Sequence, residues 1–268
     1  MDDTPAMSAT LLLDGKTMVV SGVGPGLGRE IAAIGLREGA NVVLGARREA
    51  NLRSVAEELD PSGAKVVWRQ ADITKPDECD RLVATAVERF GRLDAVVNCA
   101  ALDTVFGGLE DADFDQWRAT LETNLIGSLQ VCKSAIPALK ERGGAMVFVG
   151  SQAMYLPQLV QPAYAASKAG LLSATYYLAK ELGPHKIRVN TIVPSWMWGP
   201  PVEAYVNYMS ESQGVPAAEV IAGISKDMPL GEIPTDDDIA EVVVFFASER
   251  ARMITGQSLL VNAGELMR

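Results

Sequence analysis

Short apolar runs rich in valine alternate with amphipathic stretches along almost the whole chain. The runs are Thr17–Val20, Asn41–Leu44, Lys65–Trp68, Ala95–Asn98, Ala145–Val149, Arg188–Val193 and Ser258–Val261. Several are hydrophobic at consecutive positions, the pattern of parallel strands buried on both faces. Between them lie Arg29–Glu38, Glu49–Leu59, Asp77–Phe90, Phe114–Lys140, Ala163–Leu182 and Asp236–Ser248, where apolar positions recur at helical spacing. Turn residues separate the two kinds of segment: Gly39, Pro61–Gly63, Gly91, Gly143–Gly144 and Gly183–Pro184. Thr235 followed three residues later by Asp238 is a helix-start capping signal.

This alternation predicts an α/β protein. It calls for a doubly wound Rossmann fold with a seven-stranded parallel sheet and helices on both faces. No linker, repeat or low-complexity tract divides the chain, so one domain is expected over 14–268, preceded by a loosely held tail, 1–13. One segment breaks the rhythm. Residues 194–234 insert a long stretch with helical pieces before the next core helix, and excess chain there is expected to form a substrate-binding lid.

Bulk properties narrow the function. With 268 residues, 48% hydrophobic and 22% charged, the chain can bury a full core without metals or disulfides. A net charge of -10 argues against nucleic acid as a partner. Cys79, Cys99 and Cys132 are odd in number and form no C-x-x-C pair, so free thiols are expected, with no metal site. The N-terminal residues carry two acids and no basic region, and no apolar run is long enough for a bilayer. A cytoplasmic protein without a membrane partner is the expectation.

The first strand runs into Ser21-Gly22-Val23-Gly24-Pro25-Gly26-Leu27-Gly28 and then a helix. A glycine-rich turn ahead of a helix N-terminus presents free N–H groups and a positive dipole end to an anion, here the pyrophosphate of a dinucleotide. Pro25 has no N–H, so it has to sit where the loop needs no donor. In this fold the end of the second strand meets the adenosine ribose. There the chain carries no acid but two arginines, Arg47 and Arg48, which favours NADP, with its 2′-phosphate, over NAD. The alternative is that both merely open an exposed helix. Asp72 and Ile73 after the third strand suit the adenine. Asn98 and Ala100 after the fourth lie where small residues let the chain pass close to ribose and nicotinamide.

A single histidine, His185, lies in a turn, so histidine-based proton transfer is not expected. Tyr164 and Lys168, four apart on a helix, share one face. An ammonium beside a phenol favours the phenolate, which predicts a lowered phenol pKa and a general acid/base near neutrality. Ser151 closes a parallel strand at the edge where open α/β sheets bind ligands, and its hydroxyl suits a substrate oxygen.

Taken together, these motifs resemble the short-chain dehydrogenase/reductase (SDR) family, in its short single-domain branch, from about Asp14 to the C-terminus. The resemblance rests on Gly22/Gly26/Gly28, Asn98–Ala101, Asn124 in Thr-Asn-Leu-Ile-Gly, Ser151, Tyr164 with Lys168, and the run from Arg188 to Pro194. It implies hydride transfer between NAD(P) and a carbonyl or secondary alcohol carbon. It makes Tyr164 the acid/base, has Ser151 polarise the substrate oxygen, and has Lys168 bind the nicotinamide ribose. Asn124 would hold a water linking Lys168 to solvent, and Pro194 and Met197 would border the cofactor. Departures from the family pattern are Ser21 for threonine, Ala101 and Ser195 for glycines, Gly199 for a threonine that often contacts the nicotinamide amide, and Asn262 for an aspartate.

Met154, Tyr155, Leu156, Leu159, Trp196, Trp198, Tyr205, Tyr208 and Met209 cluster where that family binds substrate. Aromatic surface with few polar anchors suits a bulky, apolar small-molecule carbonyl or alcohol, or alternatively packs the lid or a subunit contact. A 3-oxoacyl-carrier-protein reductase is disfavoured, because Pro194–Ser225 holds no lysine or arginine. A non-catalytic dinucleotide sensor is disfavoured by the intact Tyr164 and Lys168, and a sugar-nucleotide epimerase by the glycine spacing. The family also implies a homo-oligomer of dihedral symmetry, a homotetramer.

Overall fold

The computed structural model describes residues 11–268. One parallel sheet carries seven strands in the order β3-β2-β1-β4-β5-β6-β7. They are β1 (Thr17–Ser21), β2 (Asn41–Ala46), β3 (Val66–Gln70), β4 (Ala95–Asn98), β5 (Gly144–Val149), β6 (Ile187–Pro194) and β7 (Ser258–Val261). Each expected strand is present, displaced by no more than two residues at either end. β1, β4, β5 and β6 are buried almost throughout, as their unbroken apolar runs require.

The helices are α1 (Leu27–Arg37), α2 (Glu49–Leu59), α3 (Pro76–Phe90), α4 (Phe114–Leu121), α5 (Ser128–Lys140), α6 (Pro162–Leu182), α7 (Pro200–Gln213), α8 (Ala217–Ser225) and α9 (Asp236–Ala247). Two apolar layers follow. One joins α1, α2 and α9 to one face of the sheet through Ile31, Leu52, Ile239 and Val243. The other joins α3, α5 and α6 to the opposite face through Leu82, Val131 and Leu171. Thr235 and Asp238 form the expected capping box at the start of α9.

Two expectations need correction. Phe114–Lys140 is not one α-helix. A π-helical segment, Glu122–Gly127, separates α4 from α5. Gly127 lets this segment lie against Ile73, since a methyl at Gly127 would come within 2.7 Å of the Ile73 side chain. Apolar periodicity does not register the extra residue per turn, and such segments are frequent at functional sites. Leu12 and Leu13, expected in a loose tail, are pinned by Glu38. Its carboxylate accepts the Leu12 N–H at 3.1 Å, its carbonyl accepts the Leu13 N–H at 2.9 Å, and Leu13 is buried. The rest of that expectation, 1–10, lies outside the described residues.

The run from Arg188 to Pro194 does structural work. Arg188 donates to the carbonyls of Phe246 and Ser248 at the end of α9. Asn190, fully buried, donates to Ile254 O at 2.9 Å and accepts from Gln257 N at 3.0 Å, fixing the entry to β7. Asn190→Ala leaves both backbone groups unpaired and should lower unfolding free energy by about 2–3 kcal/mol. An unchanged denaturant midpoint would show that water replaces the amide at no cost.

Candidate active site

The sheet order reverses between β1 and β4, and open α/β folds bind ligands outside the carboxyl ends of their strands at such a point. The polar atoms that the fold leaves unsatisfied gather there. Ser21 Oγ at the end of β1, Asn98 Oδ1 at the end of β4 and Ser195 Oγ just beyond β6 are buried and have no hydrogen-bond partner among the described residues. Unpaired buried polar atoms are costly, and three along one sheet edge mark a place built for a polar ligand.

Between β1 and α1 the chain forms the expected cradle. Gly22 has φ +99 and donates to Gly45 O at 2.8 Å. A methyl there would run into the backbone nitrogen of Ala100, so the turn lies directly on the chain leaving β4. A methyl at Gly28 would stand 2.5 Å from Gly22 O, so α1 starts hard against the same turn. Gly26 is the N-cap of α1, and no side chain caps that end. The N–H groups of Leu27 and Gly28 are therefore free for an anion, while that of Arg29 turns back to Gly26 O at 2.8 Å. The carbonyl of Gly24 accepts the Gly26 N–H at 3.0 Å, with Pro25 between them.

The adenosine end is less enclosed. Arg47 and Arg48 are exposed and enter no ion pair among the described residues. Asp72 faces Arg47 but is occupied: its carboxylate takes the N–H and hydroxyl of Thr74 at 3.0 and 2.8 Å. Although burial pushes its carboxyl up, those bonds and the Arg47 charge hold it below the ordinary carboxylate range. Ile73 is buried and supports the π-helical segment, with its carbonyl accepting from Cys79 Sγ and Gln130 Nε2.

The strand end of β5 and the first turns of α6 bring the catalytic candidates together. Ser151 has an extended backbone, and its Oγ accepts the Ala153 N–H at 3.2 Å. Its hydroxyl lies close enough to the Tyr164 phenol to favour the phenolate. Lys168 is 1% exposed. Its Nζ donates to Val149 O at 2.7 Å and lies 5.5 Å from the centre of the Tyr164 ring.

The expected lowering of the phenol pKa is not present in the chain by itself. Burial pushes Tyr164 up to about 12, against the Ser151 bond, and Asp103 adds to the rise. Burial also pulls Lys168 down to about 8. The reason is geometric. The ammonium sits over the ring, tied to a carbonyl, while both groups lie away from water.

Asn124 is bonded to the same helix. It is fully buried in the π-helical segment, and its side chain is committed. Oδ1 accepts Leu102 N at 2.6 Å, and Nδ2 donates to Leu102 O and Ser167 Oγ, both at 3.0 Å. Ser167 in turn donates to Tyr164 O at 2.6 Å. The amide thus clamps the loop after β4 to the helix carrying Tyr164, so any water held by Asn124 has to use its backbone. Ser167, Leu102 and the Val149 carbonyl are missing from the sequence reading. Ser167 stood inside the Tyr–Lys motif, but backbone partners carry no side-chain signature.

The substrate side is divided. Trp196 packs on Tyr205 of α7 with ring centres 5.2 Å apart, Met197 packs against the core layer, and Trp198 N donates to Pro234 O at 2.7 Å. Met197 thus ties the start of the 194–234 segment to the body, and Trp198 with Pro234 ties its two ends to each other. Met154 is half-buried in the turn after Ser151. Tyr155 is directed to the C-terminal end, its hydroxyl 3.4 Å from Ser258 Oγ and its ring under Arg268 at 4.0 Å. Gln152 joins the same clamp through Glu265 and Asn262.

Comparison with known proteins agrees with this geometry. Residues 22–265 match the family model described as enoyl-(acyl carrier protein) reductase. The chain is 32% identical over 93% of its length to trans-4-hydroxycyclohexanecarboxylate dehydrogenase of Sinomonas cyclohexanicum, covering 92% of that protein. It is 35% identical over 95% of its length to L-rhamnose 1-dehydrogenase (NAD(P)(+)) of Azotobacter vinelandii, covering 98%. A glucose/ribitol-type short-chain dehydrogenase/reductase from Brucella melitensis superposes with a TM-score of 0.86 at 28% identity, over 97% of this chain and 100% of the other. The chain belongs to the short-chain dehydrogenase/reductase family. It is an NAD(P)-dependent oxidoreductase acting at alcohol or carbonyl carbons.

The close contact of Gly22 with Ala100 makes a prediction. Gly22→Ala has to push β4 away from the cradle, so dinucleotide affinity should fall at least tenfold, with a lower melting temperature. Unchanged affinity by fluorescence titration would separate the cradle from the dinucleotide.

Proposed function

We propose that the protein is a single-domain ketone reductase or alcohol dehydrogenase that prefers NADP, with residues 194–234 as its substrate lid. The observation that carries this reading is the convergence of Ser151, Tyr164 and Lys168 at the same carboxyl edge of the sheet as the uncapped N-terminus of α1. The residues fit a dinucleotide. The α1 N–H groups and the Gly22–Gly28 turn would hold the pyrophosphate, and Ser21, Asn98 and Ala100 would border it. Arg47 and Arg48 would pair with the 2′-phosphate, Asp72 and Ile73 would flank the adenine, and Pro194 and Met197 would line the nicotinamide side.

When bound, a nicotinamide supplies the hydride in its reduced form and accepts it in its oxidised form. The chain's own groups handle the oxygen. Ser151 donates a hydrogen bond to the substrate carbonyl, and Tyr164 delivers the phenolic proton to that oxygen as its carbon is reduced. In the reverse direction the Tyr164 phenolate takes the alcohol proton. Lys168, over the Tyr164 ring, stabilises that phenolate and would hold the ribose. Asn124 keeps the loop and α6 in register.

The aromatic lid suits an apolar carbonyl or alcohol, with Met154, Trp196 and Trp198 as contacts and Tyr155 shaping the wall from the C-terminal side. A carrier-protein substrate remains the second reading, which the matching family model's description favours and the absence of basic residues over Pro194–Ser225 opposes. Assembly as a homotetramer fits the exposed Tyr176 and Tyr177 on α6. No helix among the described residues is long and apolar enough to cross a membrane, and a cytoplasmic location belongs to this proposal.

Three outcomes test the proposal. In a screen of ketones and secondary alcohols with both cofactors, Tyr164→Phe should cut turnover by about 10²–10⁴-fold on the best substrate. Near-normal turnover would reject the mechanism. Because the phenol resists ionisation, alcohol oxidation should rise by up to about tenfold per pH unit from pH 6 until the bound-state pKa is reached, while carbonyl reduction stays level. A flat oxidation profile would remove Tyr164 as the base. Finally, Arg47→Asp should shift the NADP/NAD preference at least tenfold toward NAD. If the unaltered protein already prefers NAD, the arginine argument fails.

A further inference from the structure

Asp236 is the first residue of α9, and its carboxylate points across to the dinucleotide cradle. A Cβ at Gly199, the N-cap of α7, would stand 2.5 Å from Asp236 Oδ2, and one at Gly26, the N-cap of α1, would stand 3.3 Å from the same oxygen. The carboxylate therefore fills the space that a side chain at 199 would need, beside the helix end that offers its N–H groups to a pyrophosphate. It takes no hydrogen bond and no ion pair among the described residues.

Its surroundings are acidic. From α1, Glu30 faces it, and Asp237 follows on α9. Glu30 is itself held above the ordinary range by burial and by Asp237, against the pull of Arg29. Arg29 is shared between Glu30 and Glu58. From the end of β4 comes the Cys99 thiol, which burial pushes up to about 11, so it stays neutral in the working range. Further along the α1–α9 contact, Arg37 is paired with Glu38 and Glu241. The lid segment Ser195–Gly199 adds no charged side chain.

We propose that Asp236 acts as a proton-linked gate on dinucleotide binding: its carboxylate disfavours the pyrophosphate, and cofactor uptake is accompanied by protonation of this residue. This inference rests on the reading of the α1 cradle as a dinucleotide site. The physics is charge against charge in a half-buried place. A pyrophosphate settling on α1 brings two further negative charges toward a carboxylate that has no cation of its own. Burial, then Glu30 and Asp237, already push Asp236 up to about 6. The α9 dipole favours the anion at this position but does not offset them. Binding should raise the pKa further, and by linkage affinity has to fall as pH rises through that value. Because Asp236 faces the pyrophosphate side and not the ribose, the effect should be the same for both cofactors.

The test uses NAD, whose pyrophosphate does not titrate in this range, whereas the 2′-phosphate of NADP does. The unaltered protein should bind NAD about tenfold more tightly at pH 5.5 than at pH 8, as one linked proton allows. Calorimetry at pH 6.5 in two buffers of different ionisation heat should show net proton uptake. Asp236→Asn should bind at pH 8 as tightly as the unaltered protein does at pH 5.5, with a level profile. It should also melt higher than the unaltered protein at pH 8, by a margin that narrows through pH 5.5 and closes near pH 4, the unfolded carboxyl's own range. This follows from the sign of the shift: a carboxyl whose pKa is raised by folding stabilises the fold at low pH, and that stability is lost as pH rises through about 6. Weaker binding by Asp236→Asn, a level profile in the unaltered protein, or a slope that persists in the variant would each overturn the gate while leaving the cofactor site standing. Failure of both proteins to bind either cofactor at any pH, with the melting difference intact, would overturn the dinucleotide reading and the gate with it.

Discussion

The Lys168 ammonium, 1% exposed and held at 2.7 Å by the last carbonyl of β5, is the interaction on which the site depends. A lysine so far from water is stable only where something compensates its charge. Here the compensation is one strand-end carbonyl and the face of the Tyr164 ring. That arrangement fixes α6 against β5 and sets the direction in which Tyr164 faces Ser151. It also explains why the two groups fail to activate one another in the chain alone. Each is desolvated, and the ammonium is spent on Val149.

The same economy of space governs the rest of the sheet edge. Gly22 lies on the chain leaving β4, and α1 starts hard against Gly22. The helix that offers N–H groups and the loop that leads to Asn124 are thus parts of one packed unit. Asn124 extends it by tying Leu102 to Ser167 and so to α6. A disturbance at the cradle is felt at the phenol through backbone contacts, with little room for independent adjustment. On the far side, Gln152 with Glu265 and Tyr155 with Arg268 hold the turn after Ser151 to the C-terminal residues.

Much of this was legible in the residues. Strand–helix alternation gave every strand, because buried parallel strands tolerate little but valine and its kin, and the capping pair at Thr235 announced α9. Tyr164, Lys168 and Ser151 were readable because their chemistry is rare and their spacing is set by one helix turn and one strand end. What escaped has a common cause. The π-helical segment adds one residue per turn, which an apolar stripe hardly records. The partners of Asn124 and Lys168 are largely backbone atoms, and any residue can supply those. Asp236 carries no signal of its own, because nothing local reveals that Gly26 and Gly199 meet it from distant parts of the chain. The phenol pKa failed as an expectation because burial is a property of the whole fold, and it outweighed the pull of the Ser151 hydroxyl.

On the proposed mechanism Tyr164 and Lys168 would border a bound oxidised nicotinamide, which would supply a second positive charge beside that of Lys168 and make the phenol acidic enough to work. The direct measurement is a titration of phenolate absorbance in the ultraviolet, taken as the difference between the unaltered protein and Tyr164→Phe to remove the other tyrosines. Without cofactor the difference should titrate near 12. With saturating oxidised NADP it should fall by about two units, the size of shift a nearby positive charge can produce. A phenol that titrates at the same pH with and without the cofactor would contradict the account.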